Sequence, residues 1–318
     1  FEAVASRVRR AAKVSVVAHI KPDADAIGSA CALAAGLRKL GTDAQVYIGQ
    51  PLPHSSNMRT IPGVDEILYD QPLPANGLVV TVDCASADRT GSHMPAILSD
   101  PSRVVVIDHH NTNPGFGGMN LIVESESTTI MVRELLGYLG AELDPDIAYG
   151  LYAGLVTDTG SFRWGTPRMH ELAAELMQFG LNTRQIAMDL MDTMGPVDLQ
   201  LMGAVLSKTQ IVPTKGFSLA VLTVPAGIHS RMSQTAVEAI IDYARSLEGT
   251  DVGVVLKEQA PKFWAMSLRS TVVDVSAVAQ RLGGGGHRAA AGYSAAGSRD
   301  AIIRELIDAF PEHPSAHD

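Results

Sequence analysis

The 318-residue chain is long for one hydrophobic core and comfortable for two domains, and its 46% hydrophobic and 19% charged content is that of a soluble globular enzyme. A net charge of −9 argues against a protein that grips long duplex nucleic acid, and no run of about 18 apolar residues supports a membrane span. Two isolated cysteines, Cys31 and Cys84, fit buried small residues in a reducing, cytoplasmic setting better than a disulfide framework. Phe1 stands where a start methionine would, so the natural start is expected upstream, and no leader is judged.

In chain order, Val14–Ala18 reads as a buried strand opening into His19-Ile20-Lys21-Pro22-Asp23-Ala24-Asp25, and residues 25–40 as a helix stopped by Gly41. Strands follow at 43–48, 77–83 and 103–108, the last running into Asp108-His109-His110. A helix over 127–139 precedes one opened by Pro145, which delivers Asp158 at its end. This alternation predicts right-handed βαβ units, a mostly parallel sheet and an α/β first domain. Helices at 169–179, 183–191 and 197–208 lead to strands 217–224, 252–257 and 263–269. Further helices at 235–247, 276–282 and 301–309 complete a smaller α/β domain. The expected division is 1–192 for the first domain, 193–212 for a helical connection and 213–318 for the second.

Ligands in open parallel sheets bind at the carboxyl ends of strands. There, His19, Asp23, Asp25, Asp83, His109 and Asp158 all end apolar elements. Carboxylates with a minority of imidazoles suit Mn²⁺ or Mg²⁺ rather than a thiolate zinc site. Four aspartates balance two divalent ions, whereas one ion would leave crowded like charges. A two-metal site with a bridging carboxylate follows, of the kind that activates water for in-line displacement at phosphorus. Taken singly each member has a plainer reading: a loop histidine, a solvated strand end, a helix-terminal acid. The coincidence of all of them favours a shared site. Cys84 beside Asp83 belongs to the core.

Four glycines at 283–286 are most simply a flexible turn. Here they end in His287-Arg288, and glycine N–H groups can form an anion-binding nest. Arg269 offers a planar fork for phosphate. Met188, Met191, Met194 and Met202 read as core or interdomain packing. His54, His93, His170, His229, His313 and His317 lack ligand spacing and are expected to be exposed. Arg163 and Trp164 are candidates for contacts to phosphate and base, with hydrophobic cover near the cleft an equal reading of Trp164.

The series His19-x-x-Pro22-Asp23-x-Asp25, Asp83, Asp108-His109-His110 and Gly154-Leu155-x-Thr157-Asp158-Thr159-Gly160-Ser161-Phe162 resembles, in order and separation, the four motifs of the DHH phosphoesterase superfamily. Ser267-Leu268-Arg269-Ser270 with Gly283 to Gly292 is similar to its DHHA1 substrate domain. The pairing resembles the nano-RNase, pAp-phosphatase and cyclic-di-AMP phosphodiesterase group, its actinobacterial members in particular.

The resemblance implies one Mn²⁺ on His19 and Asp23 and a second on Asp25, His109 and Asp158, with Asp83 bridging and Mg²⁺ or another divalent ion as alternatives. It implies a catalytic His110 near the scissile phosphate, or one that orients Asp108 or His109. Substrate binding would fall to Arg269, Gly285, Gly286 and His287. The implied activity is hydrolysis of cyclic-di-AMP, pApA and nano-RNA to 5′-nucleotides, and of pAp, by a two-metal-activated water, with a homodimer implied on the same ground. Rivals are a manganese inorganic pyrophosphatase, a RecJ-like single-strand exonuclease and a noncatalytic RNA- or nucleotide-binding module.

Overall fold

A computed structural model describes residues 1–312; His313 and His317 lie outside them. The chain divides into two compact units, Phe1–Thr193 and Met194–Asp318.

The first unit comprises α1 (Glu2–Arg9), β1 (Lys13–Ala18), α2 (Ala24–Lys39), β2 (Asp43–Ile48), β3 (Leu68–Tyr69), β4 (Leu78–Val82), α3 (Met94–Ser99), β5 (Val104–Asp108) and β6 (Met119–Ile122). Helices α4 (Thr128–Leu139), α5 (Pro145–Asp158), α6 (Pro167–Met177) and α7 (Thr183–Leu190) follow. The six strands form one parallel sheet in the order β3-β2-β1-β4-β5-β6. Side chains alternate across a strand, and the core obeys that period. Val14, Val16, Val80, Val82, Val105 and Ile107 join the core that contains α2, α4 and α5. Val17, Val79, Val104 and Val106 point the other way, against Tyr47 and Ile97. Both faces being covered explains the unbroken apolar runs.

Chain order reverses between β1 and β4. From β1 the chain moves outward through β2 to β3, and from β4 outward through β5 to β6. Such a switch point opens a crevice at the carboxyl ends of the two central strands. On the helical side, α2 and α5 cross closely, since a Cβ on Gly28 would lie 2.2 Å from the Gly150 carbonyl oxygen.

The second unit contains α8 (Pro196–Leu206), β7 (Gln210–Thr214), β8 (Phe217–Val224), α9 (Ala226–His229), α10 (Gln234–Arg245), β9 (Val252–Ala260) and β10 (Phe263–Ser270). It ends with α11 (Val275–Arg281), β11 (Gly285–His287), β12 (Ala290–Ala296) and α12 (Arg299–Ala309). Its sheet, ordered β11-β12-β10-β9-β8-β7, is mixed, with only β8 and β9 parallel. One face packs on α11 and α12 through Val275, Val278, Ile302 and Leu306, and the other on α8 and α10 through Met202, Val205, Ile240 and Ile241. Helix α8, read from the sequence as a connection, thus contributes to this unit's own core.

Several local expectations need correction. The glycine run is a turn only in its first half, at Gly283 with a φ of 79°, because Gly285–His287 is extended and pairs antiparallel with β12 instead of forming a nest. Gly286 there has a φ of 137°, and a Cβ on it would meet the Ala290 carbonyl oxygen at 2.5 Å. His93 is buried at 3% exposure, edge-on to Tyr47, rather than exposed. Met188, at 44%, is exposed rather than core. Strands β3 and β6 and helices α1 and α3 add to the elements expected in the first unit, and β7, α9, β11 and β12 to those expected in the second.

Candidate metal centre

Each candidate ligand in the first unit is delivered by an element end. His19 follows β1, Asp83 follows β4, and His109 and His110 follow β5. Asp23 caps α2 by accepting from the Ala26 amide at 3.0 Å, Asp25 lies in the first turn of that helix, and Asp158 is the last residue of α5. Asp83 leaves the strand in the left-handed region at φ 60°, a conformation aspartate tolerates better than most residues. Its amide still donates to the Ile107 carbonyl at 3.0 Å, which fixes the turn.

These side chains converge around Asp83. His19 Nε2 lies 3.4 Å from Asp83 Oδ2 and 3.7 Å from Asp23 Oδ2. His109 Nε2 lies 3.5 Å from Asp83 Oδ1, 3.3 Å from Asp158 Oδ2 and 3.8 Å from Asp25 Oδ2. Asp83 therefore turns one oxygen to each of two groups: His19 with Asp23, and His109 with Asp25 and Asp158. It is 3% exposed, and His19, Asp25 and His109 are likewise buried. The ligand atoms of His19, Asp23 and Asp83 form one compact set, and those of Asp25, Asp83 and His109 another.

The donor chemistry suits divalent cations. His109 Nδ1 lies 3.0 Å from the Ser125 carbonyl, which only accepts, so the proton belongs on Nδ1 and Nε2 offers its lone pair to the carboxylate cluster. His19 Nδ1 lies 2.9 Å from the Ile20 carbonyl, which only accepts, and 2.9 Å from the Arg89 guanidinium, which only donates, so these neighbours make opposite demands on that nitrogen while Nε2 faces Asp23 and Asp83. Packing so many carboxylates together without cations is costly, and the metal-free charge states show it. Burial, then repulsion from Asp83 and Asp158, pushes the Asp25 carboxyl well above its ordinary range. Burial likewise lifts Asp158 to about 6, against the pull of His109. Burial and Arg89 oppose protonation of His19, yet hydrogen bonding to Asp23 and Asp83 wins and raises it to about 9. Divalent ions would replace these protons as the compensating charge.

Asp108 and His110 sit differently. Asp108 is fully buried and accepts from Asn113 Nδ2 at 2.6 Å and from His110 Nδ1 at 2.8 Å. His110 is the most open of the three imidazoles near Asp83, its side chain 21% exposed and 3.8 Å from Asp83 Oδ1. Cys84 Sγ turns toward the Val82 carbonyl at 3.4 Å, away from any role as ligand.

Beyond Asp158 the chain makes three successive left-handed residues, Gly160, Ser161 and Phe162. Trp164 returns to donate from Nε1 to the Asp158 carbonyl at 2.9 Å, with the Arg163 guanidinium 5.3 Å from its ring. In the second unit, Arg269 and His287 both lie opposite Ala290, one on each side of β12. Gly285 and Gly286 precede His287 on the outer strand, and Arg269 donates from a terminal nitrogen to the Leu268 carbonyl at 3.0 Å.

Supporting residues absent from the sequence reading are Arg89, Asn113, Ser125, Thr128 and Thr129. The Thr128 amide donates to Asp25 Oδ2 at 2.7 Å and the Thr129 amide to Asp25 Oδ1 at 3.0 Å, while the Thr128 hydroxyl donates to Asp83 Oδ1 at 3.0 Å. The only signal for these in the sequence is Ser127-Thr128-Thr129, which reads as an ordinary helix start.

Two family descriptions match the chain: "DHH family, N-terminal domain" over residues 13–155 and "DHHA1 domain" over residues 216–312. The bifunctional oligoribonuclease and PAP phosphatase NrnA of Thermus thermophilus is 32% identical over 310 residues, covering 94% of this chain and 89% of that protein. The cyclic-di-AMP phosphodiesterase PdeA of Listeria monocytogenes is 24% identical over 305 residues, covering 90% of this chain and 45% of that one. Among solved structures, an exopolyphosphatase-related protein from Bacteroides fragilis shares the fold with a TM-score of 0.81, at 23% identity over 97% of this chain and 94% of that one.

Proposed function

Since the chain belongs to the DHH family of phosphoesterases, with a DHHA1 domain following in sequence, we propose that it is a Mn²⁺-dependent phosphodiesterase of very short nucleotides. Its substrates in this reading are cyclic-di-AMP, opened to linear pApA and then cut to AMP, together with short nano-RNA and pAp. The observation that carries the reading is Asp83, whose two oxygens face two separate donor groups. The names of the Thermus and Listeria relatives support the substrate class.

His19 and Asp23 would hold one divalent ion, Asp25, His109 and Asp158 the other, and Asp83 would bridge them. Bound there, such a pair supplies an activated water and neutralises charge at phosphorus. His110 is held by Asp108 through Nδ1, and in this reading its ring stabilises charge on the scissile phosphate or protonates the departing oxygen. Arg269 and His287, with the backbone of Gly285 and Gly286, bind the substrate's terminal phosphate. Selection of one terminal phosphate makes pAp and pApA acceptable to the same site. The reading also places the enzyme in the cytoplasm and expects a homodimer.

The test is a chromatographic product profile on cyclic-di-AMP, pApA, longer nano-RNA and pAp, with Mn²⁺, with Mg²⁺ and with a chelator. Metal-dependent release of 5′-nucleotides is expected. Turnover of pyrophosphate alone, or hydrolysis unaffected by the chelator, would overturn the proposal.

A further inference from the structure

Thr128 is fully buried at the first position of α4 and holds two carboxylates at once. Its amide binds Asp25 Oδ2, and its hydroxyl binds Asp83 Oδ1. Those are the two oxygens that face His109 Nε2, at 3.8 and 3.5 Å. The opposite oxygen of Asp83, which faces His19, is not the one Thr128 binds. We infer that Thr128 is a positioning residue selective for one of the two donor groups, that of Asp25, His109 and Asp158; the inference rests on the two-ion reading above.

The reasoning is geometric. The first amides of a helix have no partner within it, and here the first two end on Asp25. The third donates to Ser127 Oγ, so the α4 terminus is locked to both flanking chain and carboxylate. Asp25 is thereby held by both oxygens and cannot rotate without breaking two hydrogen bonds from backbone amides. Among the described residues no backbone amide clamps the Asp83 carboxylate; the Thr128 hydroxyl bonds its Oδ1, the oxygen turned to His109, while Oδ2 has its own neighbour in His19. Hydrogen bonds behind a ligating carboxylate fix its direction, and their loss typically weakens metal affinity about 10- to 100-fold.

Equilibrium dialysis of the intact protein against stepped free Mn²⁺ counts ions per chain and tests the inference without reference to turnover. Wild type should reach two ions. Thr128→Ala, and Thr128→Val as a second removal of near-native volume, should fill one site as wild type does. The other site should need about 10- to 100-fold more Mn²⁺. Thr128→Ser keeps the hydroxyl and should restore both steps, while melting of each metal-free variant reports its folding. Unchanged binding in Thr128→Ala or Thr128→Val, equal weakening of both steps, or a Thr128→Ser protein as defective as Thr128→Ala would each overturn it. If one removal variant does not fold, the other carries the comparison, and a folded Thr128→Ser protein with a weakened second step would by itself overturn the inference. Failure of wild type to take up two ions would instead sink the two-ion reading itself.

Discussion

Gly154 lies against Asp25 so closely that a Cβ on it would come within 2.6 Å of Asp25 Oδ1 and 2.8 Å of its Cα. Helix α5 can therefore bring Asp158 to the cluster only because that turn carries no side chain. The same Cβ would also meet Thr129 Cγ2 at 2.5 Å, so neither neighbour has room to yield.

Gly154→Ala should consequently destabilise the protein by about 1–3 kcal/mol through overpacking and reduce Mn²⁺ uptake at the Asp25 group. Gly203→Ala is the control: its Cβ meets nothing within 4 Å on helix α8, and it should stabilise by roughly 0.5–1 kcal/mol. Denaturant melts of both variants check the contrast, and an unperturbed Gly154→Ala would refute the close approach.

Asp83→Asn separates charge from shape. Asparagine tolerates the left-handed backbone at this position, so the variant should fold without the backbone strain that alanine would bring. Nucleotide release should fall by more than the roughly 10- to 100-fold typical of groups standing behind metal ligands. Asp83→Ala should lose activity equally but also about 1–2 kcal/mol from backbone strain. A folded Asp83→Asn protein with full turnover would remove Asp83 from the mechanism.

Asp144 caps α5 by accepting from the Ile147 amide at 2.9 Å and pairs with Lys39 at 2.9 Å. Although burial opposes it, the amide and Lys39 hold its carboxyl below the ordinary value. Such a group adds stability above its unfolded pKa, about 3.9, and loses it as pH falls through the folded one. Asp144→Ala should cost about 0.5–2 kcal/mol at neutral pH, the usual range for a lost cap. The gap to wild type should hold from pH 7 to about 5 and close below about 4. A gap that widened in acid would contradict the assignment.

Both cysteines are buried, with burial pushing the Cys31 thiol up to about 12 and the Cys84 thiol well above its normal value. Thiolate is the reactive form, so neither should react with a disulfide reagent at pH 8 until the chain is unfolded. Rapid native labelling of Cys84 would show that its pocket opens.

How much of this was readable from residues alone depends on the scale of the determinant. The four central strands and the helices after them show in the sequence because both faces of the sheet are covered, which forces runs such as Val104 to Ile107. The candidate ligands show because they end those runs. Strand β3 is two residues long, too short to carry a period, and β12 is rich in alanine and glycine, which carry little strand propensity. The glycine run misleads because its pairing partner is what makes it a strand. The roles of Thr128, Ser125 and Asn113 are invisible for another reason: their partners are 45, 16 and 5 residues away, and nothing local encodes those contacts.

The reversal of chain order between β1 and β4 also bears on how the protein is made. His19 emerges early, but its neighbour in space, Asp83, is supplied by a strand that must insert beside β1 only after β2 and β3 have been passed. Asp158 arrives later still, at the end of α5. No chain that stops before the end of α5 brings all six residues together, so filling of the Asp25, His109 and Asp158 group on the ribosome would report a nearly finished domain, whereas His19, Asp23 and Asp83 are all present once β4 has emerged.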